Sequence, residues 1–376
     1  MAWVTSVMHM HPGNRRFDVA IVTGPIESSP AGGRSLLSRL NHDAMRGLFG
    51  TSLLEIQISP RRRVGFDAVR CALTGAVDGL DKDTISRTIA ILRKAEIRKV
   101  LIDGSNYGML AAAIKKNIPD IEIIVFFHNC EARFFFGLFR QRPSIRTFGV
   151  LLANYIAERS AVRRSDKRIC LNDRDSELLR RIYGYSATHF SPMAMRDRYT
   201  PNTPYQFQVP SKPYALFVGS AFYANIQGIR WYANHVARQT SMPVYVIGNG
   251  MEHWRGELER NGNVSVVGAV NDVAPWYLGA SIVIAPIFDG SGMKTKIAEA
   301  LMFGKRVVGT PEAFVGYEQF MELIGISCET APDFIAAIES EASTATTEIH
   351  SNLRNIYQST YSFDAAKERL SAILKQ

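Results

Sequence analysis

Cysteine is scarce: Cys71, Cys130, Cys170 and Cys328 stand far apart, with no CxxC pair and no clustered histidine beside them. That argues against a disulfide framework and against a cysteine-held zinc site, and it fits a reducing compartment. Long apolar runs are missing as well. The chain never reaches the eighteen uninterrupted apolar residues of a membrane span, and its opening MAWVTSVMHMHPGNRRFD lacks the basic start and apolar core of a leader. Export and membrane spanning are therefore not expected. No short repeat or low-complexity tract is visible, and with 46% hydrophobic and 21% charged residues the composition is that of a folded globular chain. Acidic residues are outnumbered by basic ones, 35 against 44, for a net charge of +9. An anionic partner is favoured, whether nucleotide, nucleic acid or acidic lipid, unless the charge serves solubility alone.

What the chain does have is a regular alternation. Short β-rich runs (FDVAIVTG, SLLEIQIS, KVLIDG, IEIIVFF, KRICLN) are separated by helix-like stretches, the mark of a parallel α/β sheet. Around 192–213 the pattern breaks into PMAMRDRYTPNTPYQFQVPSKP, with five prolines and no helical period. A second series then runs ALFVG, PVYVIG, NVSVVG, ASIVIAP and KRVVGT, again with helices between. The 376 residues suffice for two cores. The expected organisation is a first domain over 1–195, a linker over 196–213, a second domain over 214–357, and a closing helix within 358–376 packed back on the first domain.

In open parallel sheets ligands bind at the carboxyl ends of strands, so the chemistry is sought there. The stretch APIFDGSGMKTKIAEALMFGKRVVGT, residues 285–310, reads strand, glycine loop, helix, strand. Gly290 and Gly292 let the backbone approach a ligand, and a helix starting near Met293 aims free N–H groups at the same place. Lys294 and Lys296 sit in its first turn, where cations are unfavourable unless negative charge is near, so a phosphate or diphosphate is the natural occupant. Two solvated surface lysines are the plainer alternative. Glu299, between Ala298 and Ala300, offers a carboxylate that suits the two hydroxyls of a ribose; an ordinary exposed helical glutamate is the alternative.

The order Pro286, Gly290, Ser291, Gly292, Lys294, Lys296, Glu299, Ala300, Gly304, Val307, Val308, Thr310 resembles the donor segment of nucleotide-sugar glycosyltransferases of the GT-B fold, particularly glycosyltransferase family 4. FVGSAFYANIQGIRWYANHV, VYVIGNG and VSVVGAVNDVAPWY resemble further blocks of that family's second domain. AGGRSLLSRL, FFHNCE and KRICLNDRDSELL resemble parts of its first. The resemblance implies two doubly wound Rossmann-like domains facing across a cleft. It implies donor contacts at Gly32, Gly33, Gly219, Ser220, Gly248, Val270, Gly290, Ser291, Gly292, Met293, Lys294, Lys296 and Glu299. His128, directly after IIVFF, would meet the donor sugar or the transferring centre, and His128, Lys296 and Glu299 are the residues carrying catalysis or binding. Many relatives have a carboxylate at both positions held here by Ser291 and Glu299, so the sugar-side carboxylate is absent. An arginine and a lysine common in the FVGS loop are replaced by Ser220 and Asn225, which leaves the diphosphate charge to Lys294 and above all to Lys296.

The implied reaction is transfer of a sugar from a nucleoside diphosphate sugar to an acceptor hydroxyl, retaining, without an obligatory metal or other cofactor. Its acceptor is a glycan or lipid-linked sugar of bacterial-type polysaccharide or glycolipid assembly. RFFFGLFRQRPSIR, residues 133–146, crowds phenylalanines among arginines, which suits an interfacial segment with Glu131, Arg133, Phe134, Phe135 and Arg140 on the acceptor or membrane side. A core-facing aromatic helix with exposed arginines explains the same residues equally. The Arg61, Arg62, Arg63 run adds to the basic side. A cytoplasmic protein, peripheral on the inner face of a membrane, is the expected setting. The rival is a noncatalytic subunit that binds nucleotide-sugar. Nucleic-acid binding is not expected, since no recognised module accompanies the charge.

Overall fold

The structure is a computed structural model that describes residues 16–27, 32–60, 65–200, 210, 212–290, 292–343 and 347–376. The chain divides into two compact units. One runs to Pro192 and resumes over Ala366–Gln376, and the other is Met193–Ala365. The division falls three residues ahead of the expected 195, and the described residues of the proline-rich stretch from Met193 on belong to the second unit.

The first unit holds strands β1 (Val19–Thr23), β2 (Leu53–Gln57), β3 (Lys99–Asp103), β4 (Glu122–Phe127), β5 (Lys167–Cys170) and β6 (His189–Phe190). Its helices are α1 (Gly33–Phe49), α2 (Phe66–Thr74), α3 (Lys82–Lys94), α4 (Gly108–Asn117), α5 (Glu131–Gln141), α6 (Ile145–Arg164) and α7 (Asp173–Tyr183). The sheet order is β2-β1-β3-β4-β5-β6 with every pair parallel. Helices cover such a sheet on both faces, which is why strands like EIIVFF are almost wholly apolar and buried. Local signals set the helix ends. The Asp81 carboxylate accepts from the Thr84 N–H to start α3, and Asn172 caps α7 through the Asp175 N–H.

The second unit holds β7 (Ala215–Val218), β8 (Val244–Ile247), β9 (Val264–Gly268), β10 (Ile282–Ala285), β11 (Arg306–Gly309) and β12 (Gly325–Ser327). Its helices are α8 (Tyr223–His235), α9 (Arg255–Leu258), α10 (Ala274–Gly279), α11 (Thr295–Met302), α12 (Met321–Ile324), α13 (Ala331–Ser343) and α14 (Ser351–Ile356); α15 (Phe363–Lys375) closes the chain and from Ala366 onward belongs to the first unit. The order is β12-β11-β10-β7-β8-β9, again all parallel. Both units are therefore doubly wound Rossmann-like folds, each with its own apolar core. Strand order reverses between β1 and β3 in the first unit and between β7 and β10 in the second, and ligand crevices form at such switch points.

Candidate functional site

In the second unit the switch point is crowded by backbone. A Cβ on Gly228, in α8, would lie 1.7 Å from the Pro286 carbonyl oxygen, and one on Gly248 would lie 2.0 Å from the Gly219 carbonyl oxygen. The loops that follow β7, β8 and β10 are thus drawn together at one end of the sheet. Val270 lies in the loop after β9, partly buried. Gly290 has φ 137°, a conformation that side chains other than hydrogen rarely adopt, and Gly292 has φ 67°. Ser291 lies outside the described residues.

Helix α11 begins at Thr295 rather than near Met293, so Lys294 is its N-cap and only Lys296 is in the first turn. The two lysines have different surroundings. Lys294 Nζ donates to Glu312 Oε1 and to the Gly292 carbonyl, both at 2.9 Å, so its charge is matched by a carboxylate. Lys296 Nζ donates to the neutral Asn225 Oδ1 at 2.9 Å and sits 4.3 Å from the centroid of the Phe217 ring in β7. Asn225 in turn donates to the Ser220 carbonyl at 2.9 Å, tying the loop after β7 to the same group. Burial pulls the Lys296 amine down to about 7, with Lys294 adding to the fall and Glu299 opposing it. The Met293 side chain is turned into the protein. It is buried beneath Gly316, and its sulfur accepts from the Met193 N–H.

Glu299 is not the exposed helical glutamate of the plainer reading. Its side chain is 14% exposed, and both oxygens are engaged: Arg198 Nη2 donates to Oε1 at 2.7 Å and Tyr277 Oη to Oε2 at 2.9 Å. Tyr277, from α10, is itself stacked on Phe303 at 5.0 Å. Burial raises the carboxyl above its usual range, against the pull of Arg198, Tyr277 and Lys296. Each oxygen keeps a second acceptor direction, so a vicinal diol could still be received. Arg198 was missed from the sequence. It lies in the proline-rich stretch, which is strapped to this unit by Arg354 on Asp197 at 2.8 Å and by the Tyr357 hydroxyl on the Met195 carbonyl at 2.9 Å.

In the first unit the corresponding place is held by a buried polar network. Asp103, at the end of β3, accepts from Asn41 Nδ2 at 2.8 Å and from His128 Nε2 at 3.1 Å. Burial opposes the Asp103 charge, but His128 and these donors outweigh it and hold the carboxyl at about 2. An ionised carboxylate only accepts, so His128 carries its proton on Nε2. Its Nδ1 is buried without a hydrogen-bond partner among the described residues. Gly32 and Gly33 open α1, with Gly32 at φ 102° and open space where a Cβ would stand.

Glu131, expected on the acceptor or membrane side, does not stand on an exposed surface. It is buried at the start of α5, 3.8 Å from Arg34 Nη1, and burial lifts its carboxyl to about 7, with Arg34 opposing and the neighbouring Glu158 adding. Glu158 accepts from the backbone N–H groups of Glu131 and Ala132 at 2.8 and 3.0 Å and from the Tyr183 hydroxyl at 2.8 Å, so it caps α5 from outside. Arg133 and Arg140 are exposed, Phe134 and Phe135 are half-buried, and the more exposed ring of the run is Phe136. Arg61, Arg62 and Arg63 lie outside the described residues.

Residues 212–340 match the family described as Glycosyl transferases group 1. No curated protein matches the sequence. Among solved structures, a sucrose-phosphate synthase from Thermosynechococcus elongatus superposes with a TM-score of 0.69 at 15% identity, over 96% of this chain and 99% of that one. The lipopolysaccharide outer core galactosyltransferase WaaB in its apo form gives 0.63 at 13%, over 95% and 99%. HepE of Anabaena, in complex with UDP and glucose, gives 0.61 at 12%, over 95% and 99%. Identities this low establish the fold, and the family match covers about a third of the chain, the part that carries Lys296 and Glu299. The chain has the GT-B fold of two Rossmann-like units, and its residues 212–340 are similar to Glycosyl transferases group 1.

Proposed function

We propose that the protein transfers a sugar from a nucleoside diphosphate sugar to a hydroxyl of a glycan or lipid-linked acceptor, with retention and without a required metal. The observation that carries this is the pairing of a buried lysine and a largely enclosed glutamate on one helix, Lys296 and Glu299, beside the β7/β10 switch point. HepE, whose structure contains UDP and glucose, offers a precedent for the donor class on this fold.

In this reading the diphosphate lies against the glycine loop and the amino end of α11, and Lys296 supplies the charge that leaves Lys294 free to pair with Glu312. Negative charge builds on the departing diphosphate as the glycosidic bond breaks, and donors already in place favour that transition state. Glu299 receives the ribose diol and is a binding residue, not a nucleophile. The departing phosphate oxygen takes the acceptor proton, so no separate base is required. Polysaccharide or glycolipid assembly in the cytoplasm is the setting this chemistry fits.

Calorimetric titration with UDP, GDP, ADP and their sugar conjugates, alongside Glu299→Ala and Lys296→Ala, tests the reading. Binding of one nucleotide family, lost in both variants, supports it and names the base. Binding without release of sugar to water or to any hydroxyl acceptor would favour the noncatalytic subunit instead, and no binding by folded protein would sink the donor site.

A further inference from the structure

Six of the twelve large apolar side chains that stand exposed among the described residues lie on three helices of the first unit: Val69 and Leu73 on α2, Phe136 and Leu138 on α5, Ile145 and Phe148 on α6. The three helices pack as one layer. Gly75, just after α2, approaches Ile156 of α6, and Phe139 of α5 meets Phe148 of α6 edge-on at 5.9 Å. Apolar exposure gathered on one such layer marks an interaction surface rather than scatter.

Ile145 is the most exposed of them, at 95%. It is the first residue of α6, and a capping box fixes it there: Thr147 N–H donates to Ser144 Oγ at 3.1 Å and Ser144 N–H to Thr147 Oγ1 at 3.0 Å. An apolar side chain is therefore displayed on an ordered turn, not on a fraying end. Beside it, α5, α6 and α7 enclose an open groove of about 360 Å3 with apolar walls, including Phe136, Phe148, Leu151, Leu152, Tyr155 and Ile182.

Along the exposed surface of α5 and α6 the charge has one sign. Between Glu131 and Glu158 the sequence has no Asp or Glu, while Arg133, Arg140, Arg142 and Arg146 are all exposed. The two flanking glutamates are buried and turned inward. A second copy docked by two-fold symmetry would set these arginines against one another. A protein partner would meet a groove whose exposed walls are apolar, whereas protein interfaces interleave hydrogen bonds with apolar contact.

We propose that the α2–α5–α6 face seats on an anionic lipid surface, with the arginines at the headgroups, Ile145 and the exposed rings at the acyl boundary, and one lipid acyl chain in the groove. The proposal is independent of the donor chemistry in the second unit, and it places a lipid-linked acceptor within reach of the same surface.

The test is flotation of the full chain with vesicles of phosphatidylcholine alone and of a 2:1 mixture with phosphatidylglycerol, at low and high salt. A lipid carrying a photoreactive group on its acyl chain maps the contact. Binding to the anionic vesicles that weakens with salt, with crosslinks on α5 and α6, is expected. Ile145→Asp and the pair Arg142→Glu and Arg146→Glu each reduce partitioning about tenfold or more while leaving nucleotide binding unchanged. Those positions are exposed, so loss of folding does not confound them. No vesicle binding by folded protein, or binding indifferent to both variants, would overturn the proposal. So would a dimer in sedimentation that Ile145→Asp dissolves, which would assign the face to a second copy.

Discussion

Lys296 donates to a neutral amide and sits over an aromatic ring, and burial holds its amine at about 7 instead of the usual lysine range. The free protein therefore carries a protonated Lys296 below that pH and loses the proton above it. A bound diphosphate favours the charged amine, so above pH 7 binding must take up a proton. The expected outcome is a nucleotide affinity that is flat below about pH 7 and falls by up to about tenfold per unit above it, until the amine of the complex itself titrates. Calorimetry in buffers of different ionisation enthalpy measures the proton directly. Lys296→Arg keeps its charge throughout and flattens the profile.

Arg198 has the opposite task at the other end of α11. Glu299 is buried, which favours its neutral form, and the Arg198 guanidinium at 2.7 Å offsets that. Arg198→Ala is expected to weaken nucleotide binding about tenfold, the scale of one charge-assisted hydrogen bond. The loss should grow as pH falls, because the Glu299 carboxyl then protonates more readily. A nucleotide lacking the ribose diol should lose much less, and equal losses for both ligands would show that Arg198 does not act through Glu299. The sequence makes Lys296 and Glu299 legible because they stand in one ordered segment with the glycines. Arg198 was not, since the contact spans a hundred positions and starts from a stretch without period. Glu131 opens α5, as a glutamate at a helix start can, but its burial was not legible, because only the packing of α1 and α6 around α5 encloses it.

At the scale of the element, the alternation of apolar runs and helical stretches was enough to place the long strands. It could not reveal β6 or β12, which are two and three residues long and too short to show a period. Between β8 and β9 the chain forms a succession of short turns around α9 rather than one continuous helix. The glycine in α8 was readable only as a helix weakness. In the structure Gly228 is what lets α8 lie on the Pro286 carbonyl, and that contact sets the floor of the β7/β10 switch point. Gly228→Ala would press a methyl into backbone that has nowhere to relax without moving β10 or α8. A loss of about 3 kcal/mol in denaturant unfolding is expected, in the upper range for overpacking, together with weaker nucleotide binding as the loops separate. A stability change below about 0.5 kcal/mol would show that α8 shifts freely and does not fix the site.

At the scale of the whole molecule, the lysine and glutamate of the candidate donor site, with Arg198, Tyr277 and Asn225, all belong to the second unit, whose apolar core is its own. A ligand held by those groups stabilises the native state of that unit by an amount fixed by mass action, about 2.7 kcal/mol at a hundredfold excess over Kd. Hydrogen exchange of the full chain can resolve where that free energy appears. If the units open separately, the slowest amides of β7, β8 and β10 should slow by about a hundredfold with saturating nucleotide, while those of β1, β3 and β4 keep their rates. If both sets slow together, the units unfold as one cooperative body and the ligand's stabilisation is shared. Protection confined to β1, β3 and β4 would be the more damaging result, because it would move the nucleotide to the Asp103 and His128 network and leave Lys296 and Glu299 without their proposed ligand.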